Sequence, residues 1–404
     1  MKYVVILGDG MADEKIEKLN FKTPLDVANK PNIDALAKNA YMGLCKTVPD
    51  GMKAGSDVAN LAVLGYNPKT SYTGRSPLEA VSIGIDLKET DVTLRANLVT
   101  LSNEQNYADK IMVDYSAGEI STSEAKTLID YLKLNLDSQL FKLYSGVSYR
   151  HCLVVDNGET GANLTPPHDI SKKPIKNFLP KGVNAKLYLE LMEKSNKLLS
   201  VHPINVKRRL EGKNEANSLW FWGEGTKPYL QTFFDRYNLN GGMISAVDLL
   251  KGIALLNKMQ LIEVEGATGN YKTNFTGKAN MAIDYLLNKG LDYVYIHMEA
   301  PDECGHQGDL DNKIKSIELI DSLVVAPIVK ALNDSNEDYA ILITPDHPTP
   351  ICKMTHTPTP VPFMIYKSNK DYNQNNDKYT EDDASKTNVF IDSGEKLMQI
   401  FIKD

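Results

Sequence analysis

The chain has 404 residues, 45 Lys+Arg against 52 Asp+Glu and a formal net charge of −7, with 42% hydrophobic and 24% charged residues. These proportions belong to a soluble globular protein with room for two or three domains, and they exclude a disordered, collagen-like or disulfide-scaffold chain. A mildly acidic balance also excludes nucleic acid as an expected partner, because phosphate neutralisation needs a concentrated basic face.

The opening run, residues 3–7, is apolar, strand-sized and ended by Gly8-Asp9-Gly10. It reads as a buried strand of a parallel sheet. Because this run stops at an aspartate, it is not a signal peptide. No later stretch approaches the ~18 apolar residues of a membrane span. The expected location is therefore cytoplasmic, with no membrane partner. Cys45, Cys152, Cys304 and Cys352 are far apart and form no CxxC pair, so no redox motif or zinc knuckle is written here.

Residues 54–66 predict a helix whose apolar face is Val58, Leu61, Ala62 and Leu64, closed by Gly65 and N-capped by Ser56. From about 88 to 212 the pattern changes. Strand-like runs (92–100, 147–155), helices (121–136, 185–199) and a Pro/Lys-rich loop (165–181) predict a smaller α+β domain inserted into the first. The expected division is 1–88 with 213–404 as the core and 89–212 as the insert. Late in the chain the strand pattern resumes. Residues 293–297 run into Met298-Glu299-Ala300-Pro301-Asp302, a helical pattern covers 312–332, and 339–344 run into Pro345-Asp346-His347. Strand, helix, strand is the unit of an α/β fold with a mainly parallel sheet flanked by helices. Ligands gather beyond the carboxyl ends of such strands, which is where these acidic residues fall. The Asn/Asp/Lys-rich stretch 368–386 reads as a mobile surface loop.

Four of the seven histidines (His297, His306, His347, His356) lie between 297 and 356, beside carboxylates. Asp302 and His306 are one helical turn apart. Carboxylate plus imidazole is a donor set for Mn²⁺, Zn²⁺ or Mg²⁺. Three aspartates (Asp9, Asp302, Asp346) and three histidines (His306, His347, His356) exceed what one catalytic metal needs and suit two metals in one cleft. A serine at a helix start such as Ser56 is usually only a cap, although Gly55 before it would let a phosphate approach the backbone.

The ensemble resembles the archaeal-type, 2,3-bisphosphoglycerate-independent phosphoglycerate mutases of the alkaline phosphatase superfamily. The stretches that carry the resemblance run from residue 4 to about 365. They include Leu7-Gly-Asp-Gly-Met-Ala-Asp13, Gly55-Ser-Asp-Val-Ala-Asn-Leu61, Tyr72-Thr-Gly-Arg-Ser-Pro-Leu-Glu-Ala80, Arg95-Ala-Asn-Leu-Val-Thr100, Tyr149-Arg-His151, Glu265-Gly-Ala-Thr-Gly269 and the carboxylate–histidine segments. One departure is Ser76, where the family pattern has glycine.

The resemblance implies an alkaline-phosphatase-like core and an isomerase that interconverts 3- and 2-phosphoglycerate through a phosphoserine. It implies Asp302, His306 and His356 as ligands of one metal, and Asp9, Asp346, His347 and the Ser56 oxygen as ligands of the other, with Ser56 as nucleophile. The expected cofactors are two divalent ions, Mn²⁺ first, with Mg²⁺, Zn²⁺ or Co²⁺ as alternatives, and no 2,3-bisphosphoglycerate. Arg95, Arg150, Arg208 and Arg209 are expected to grip the substrate's carboxylate and phosphate, with His151 as a proton carrier. A lysine, Lys251 or Lys272, is expected beside them, and the insert is expected to close over the substrate. The rival reading is another metal-dependent phosphotransferase or phosphohydrolase of the superfamily, such as a phosphopentomutase.

Overall fold

The computed structural model describes residues 1–403. It comprises two compact units, Met1–Tyr72 with the chain from Tyr229 onward, and Thr73–Pro228. The second unit is wider than the 89–212 read from the sequence. Strand Ser218–Thr226 pairs antiparallel along Val92–Leu101, from Val99 opposite Ser218 to Val92 opposite Thr226. On the other flank the Ser76 hydroxyl, at the first turn of helix Ser76–Ser82, donates to the Thr93 carbonyl at 3.0 Å. Pairing thus extends the unit past both expected ends. Its own core packs helices Thr122–Leu136 and Ala185–Leu199 on this sheet through Leu128, Leu132, Leu191 and Met192.

The first unit is built on an eight-stranded sheet. Strand Lys2–Gly8 lies between Tyr293–Met298 and Tyr339–Thr344, and both pairings are parallel. Val4, Val5, Ile6 and Leu7 are all fully buried, which explains an unbroken apolar run in place of alternation. Only Val361–Lys367 runs against the others. The adjacency of these three strands sets their carboxyl ends, and the residues that follow them, side by side.

The helix expected over 312–332 spans Leu310–Ile320 and Ala326–Asp334, joined by a π turn at Asp321–Val325. Pro327 has no N–H to donate, which favours a break in the regular ladder here. The turn presents Asp321, whose carboxylate accepts from Ile33 N and Asn32 Nδ2, both at 2.7 Å.

The stretch 368–386 is tied down more than its composition suggests. Tyr379 is fully buried, and Thr380 caps helix Glu381–Lys386. The Glu381 carboxylate accepts from Thr23 Oγ1 (2.7 Å) and Asp13 N (3.1 Å). Burial pushes its pKa up to about 7. A carboxyl whose folded pKa is raised binds its proton more tightly in the native state. Its contribution is therefore complete below about pH 4.5 and lost as the pH rises to about 7. Glu381→Gln should leave stability unchanged near pH 4 and raise it by about 3 kcal/mol near pH 8. Thermal melts at both pH values check this; an equal effect at both would refute it.

Candidate active site

Asp9 follows strand Lys2–Gly8, Asp302 lies in helix Ala300–Gln307 after strand Tyr293–Met298, and Asp346 and His347 follow strand Tyr339–Thr344. The resulting cluster joins residues up to 347 positions apart in sequence. Asp302 Oδ2 lies 3.4 Å from His306 Nε2 and its Oδ1 3.5 Å from His356 Nε2, and the two imidazole Nε2 atoms are 2.8 Å apart. His347 Nε2 is 3.3 Å from Asp346 Oδ2, 3.7 Å from Asp9 Oδ1 and 3.2 Å from Ser56 Oγ. All seven residues that the resemblance named as ligands therefore share one locality. Two tight subsets have donor atoms mutually within 4.8 Å, Asp302/His347/His356 and Asp9/His297/Asp346.

The imidazole orientations test whether cations suit this locality. His306 Nδ1 is 3.0 Å from the Met354 carbonyl, His356 Nδ1 3.3 Å from the Ala54 carbonyl, and His347 Nδ1 3.3 Å from Thr349 Oγ1. Giving Nδ1–H to an oxygen leaves each Nε2 lone pair facing the carboxylates, the orientation of a metal-ligating histidine. Asp9 Oδ1 is buried and has no hydrogen-bond partner. Burial, with Asp346 and Asp302 beside it, holds the Asp9 pKa well above the usual carboxylate range. In Asp302 the hydrogen bonds to His306 and His356 outweigh burial and pull the pKa well down. His306 rises to about 9 on its hydrogen bond to Asp302. Burial lowers His347. Three crowded carboxylates facing three imidazole Nε2 atoms, one carboxylate oxygen unpaired, fit divalent cations.

Ser56 is the first residue of helix Ser56–Val63, with Gly55 at the N-cap, one position earlier than the sequence suggested. The far end closes as expected. Gly65 (φ +86°) donates to the Ala62 carbonyl and Tyr66 N to Leu61 O, the two bonds of a Schellman motif. One turn after Ser56, Asn60 Nδ2 donates to both Ser56 O (2.9 Å) and Asp346 Oδ2 (3.0 Å), while its Oδ1 accepts from Tyr295 OH (2.6 Å). This fully buried amide fixes the serine's turn against the end of a central strand.

Gly10 (φ +59°) lets the backbone turn under Asp302. A Cβ there would stand 2.6 Å from Asp302 Oδ1 and 2.7 Å from Asp302 Cα. Gly10→Ala should cost about 2–4 kcal/mol through left-handed strain and overlap with backbone that cannot yield. Urea titration should show a lower midpoint; an unchanged midpoint would contradict the close approach.

The basic residues proposed for substrate are differently placed. Arg95 stacks 4.0 Å over the Trp222 ring and pairs with Glu79 at 2.8 Å. Arg150 is exposed, 5.5 Å over Tyr149. Arg208 is buried and spends its donors on Glu124, Ala117 O and Asn214 O, and Arg209 pairs with Glu215. These two stitch the second unit together, contrary to the substrate role read from sequence. His151 accepts from Gly146 N, and burial with Arg150 nearby pushes its pKa down to about 3. That ring stays neutral at physiological pH, unlike the expected proton carrier. Lys251 pairs with Glu263, and Lys272 lies over Tyr271. A lysine that does lie beside the cluster is Lys278, fully buried, 2.5 Å from Glu299 Oε2. A signal for it existed: Lys278 sits on the same stripe as Phe275, Ala282 and Leu286, the buried face of helix Phe275–Leu287. A charge on an apolar stripe demands a buried partner.

A serine at a helix start, facing carboxylates and imidazoles at the ends of central parallel strands, is an arrangement that phosphoryl transfer in an α/β enzyme would use. Comparison with known proteins narrows it. The family profile described as "2,3-bisphosphoglycerate-independent phosphoglycerate mutase" matches residues 37–205. The protein of that name from Methanosarcina barkeri is 46% identical over 404 residues, covering 100% of both chains. The Geobacter sulfurreducens protein named as a probable member is 45% identical, again covering 100% of both. Among solved structures, the PH0037 protein from Pyrococcus horikoshii has a TM-score of 0.82 at 30% identity, covering 99% of this chain and 96% of that one. The cofactor-independent phosphoglycerate mutase from Thermoplasma acidophilum has a TM-score of 0.69 at 25% identity, covering 100% and 99%. The chain belongs to the 2,3-bisphosphoglycerate-independent phosphoglycerate mutases. None of its described helices is long and apolar enough to cross a membrane.

Proposed function

We propose that the chain interconverts 3-phosphoglycerate and 2-phosphoglycerate without 2,3-bisphosphoglycerate, through a phosphoserine at Ser56. The observation that carries the reading is the 3.2 Å approach of Ser56 Oγ to His347 Nε2 across 291 residues of sequence, inside the carboxylate–imidazole cluster. Asp302, His306 and His356 would hold one divalent ion, and Asp9, Ser56, Asp346 and His347 a second. Manganese suits such oxygen- and nitrogen-rich sets, as do magnesium and zinc. When bound, the ions lower the pKa of the serine hydroxyl and offset the charge of the transferring phosphoryl group.

The chain's own residues do the rest. Ser56 Oγ attacks the phosphorus of 3-phosphoglycerate, and the P–O bond to C3 breaks with its electron pair going to the C3 oxygen. The proton lost by Ser56 balances the proton that oxygen gains. The glycerate then offers its 2-hydroxyl to the phosphoserine, and Ser56 recovers its proton as the P–Oγ bond breaks. Helix Ser56–Val63 points its positive end at the phosphoryl group. Asn60 and Tyr295 keep that end in register with Asp346.

Incubation of the purified protein with 3-phosphoglycerate and Mn²⁺, followed by phosphorus NMR, should show 2-phosphoglycerate with little free phosphate. Peptide mass spectrometry of a quenched reaction should find phosphate on Ser56. Release of free phosphate alone would favour the phosphohydrolase reading and overturn this one.

A further inference from the structure

Behind the cluster lies a chain of buried charges that the reaction above does not use. His297 and Asp346 are fully buried, and Asp9 and Glu299 are each about 4% exposed. His297 Nε2 stands 3.1 Å from Asp9 Oδ2, and His297 Nδ1 stands 3.1 Å from Glu299 Oε1. Glu299 Oε1 also accepts from Ala246 N (2.7 Å) and Ser245 Oγ (3.2 Å). Glu299 Oε2 is paired with Lys278 Nζ, which donates in addition to the His297 carbonyl at 2.8 Å. Lysine, glutamate, imidazole and aspartate thus follow one another along one buried line.

His297 differs from its three neighbours in one respect. His306, His347 and His356 each have a neutral oxygen at Nδ1 and turn Nε2 into the cluster, toward its carboxylates, its serine and one another. His297 has a carboxylate oxygen at each nitrogen, and a carboxylate only accepts hydrogen bonds. With Ser245 Oγ also 3.3 Å from Nδ1, the ring is set between acceptors on both sides, a placement that suits an orienting contact better than a ligating one. Its contact falls on Asp9: Oδ2 lies 3.1 Å from His297 Nε2 as an ion-pair contact, neither His297 Nε2 nor Asp9 Oδ1 has a hydrogen bond of good geometry, and Oδ1 is turned toward His347 at 3.7 Å.

We propose that His297 is a positioning residue, anchored from behind by Glu299 and Lys278, that fixes the Asp9 carboxylate with Oδ1 directed at the ion shared with Asp346. The inference rests on the metal reading of the site given above. It assigns the second candidate donor group an orienting imidazole where the short distances alone would allow a ligating one. Partners of this kind behind metal ligands typically govern affinity by about 10- to 100-fold.

The test compares His297→Leu with His297→Gln, the latter keeping a side-chain N–H that can reach Asp9. Metal-free protein is titrated with Mn²⁺ by calorimetry, with a thermal melt of each metal-free variant to confirm folding. The expected result is weakening of one of two binding events by about 10-fold or more in His297→Leu, recovered in large part in His297→Gln, with two ions still bound. Equal affinity in wild type and His297→Leu would overturn the proposal. So would loss of one ion in both variants, which is the result for a ligand. If the His297 variants fail to fold, Lys278→Met/Glu299→Gln removes the rear charges as a balanced pair. It should weaken the same event several-fold, and wild-type affinity there would again overturn the proposal. Wild-type protein that takes up no Mn²⁺ would overturn both this inference and the metal reading beneath it. Uptake by wild type with no difference among variants would overturn this inference alone.

Discussion

Ser56→Ala is expected to lower kcat for phosphoglycerate interconversion by at least about 10⁴-fold, the scale of losing a nucleophile whose partners act as a unit. No other described hydroxyl is assigned to that position: Thr349 Oγ1, nearby, is already engaged with Asp302 and His347. The same change should leave the fold nearly untouched. Ser56 occupies the first position of a helix, is only partly buried, and is capped by backbone at Gly55. Alanine there is compatible with helix, so stability should shift by less than about 1 kcal/mol. Steady-state kinetics and a thermal melt on one preparation check both halves. Wild-type turnover in the folded variant would end the covalent mechanism.

Removal of bound metal is the second large effect. Exhaustive chelation should abolish turnover, and Mn²⁺ should restore it. Ions that bind only the folded chain also stabilise it by RT ln(1 + [L]/Kd), about 2.7 kcal/mol at a hundredfold excess over Kd. The metal-free protein should therefore melt lower, and its pH profile should reveal why. Asp9 is held above the carboxylate range, His306 is raised to about 9 by Asp302, and His297 to about 10 because Glu299 and Asp9 outweigh burial. Each binds its proton more tightly in the folded state, so the contribution of each falls as pH rises from its unfolded value through its folded one. Asp302, pulled down, works in the opposite sense and only in acid, below about pH 4. His347, lowered by burial, also works in the opposite sense below about pH 6.5, so metal-free protein should lose stability between about pH 7 and pH 10, and Mn²⁺ should flatten that slope. A slope indifferent to Mn²⁺ would count against cations in this cluster.

Much of this was legible from residue order alone. Three apolar runs, each followed within about five residues by an aspartate, marked the central strands and which end of the sheet bears the chemistry, because an unbroken apolar run suits a parallel strand buried on both faces. The helix of Ser56 showed itself by its periodicity and its closing glycine. What escaped has a common cause. The width of the second unit depends on which strand pairs with Val92–Leu101, and pairing across more than a hundred residues leaves no local mark. The roles of Arg208 and Arg209 turned on neighbours such as Glu124 and Glu215, equally invisible in a motif. Asn60, His297 and Glu299 act through side chains from other strands. Lys278 and Lys313 were more accessible to reasoning. Both lie on buried helix stripes, and each meets a buried acid beside the cluster, Glu299 at 2.5 Å and Asp13 at 2.7 Å.

The placement of Lys2–Gly8 at the centre of its sheet has a consequence for how the protein is made. Tyr3 pairs with Tyr293 on one side and with Ala340 on the other. Strand Lys2–Gly8 therefore has no neighbour until nearly 290 further residues have been translated, roughly 15–60 s at ordinary elongation rates. During that interval an intensely apolar, edge-unprotected segment must be kept from self-association, while the continuous unit Thr73–Pro228 already has all its strands. A chaperone that holds this strand as it emerges should thus matter more to the yield of this protein than to that of one whose central strands are neighbours in sequence.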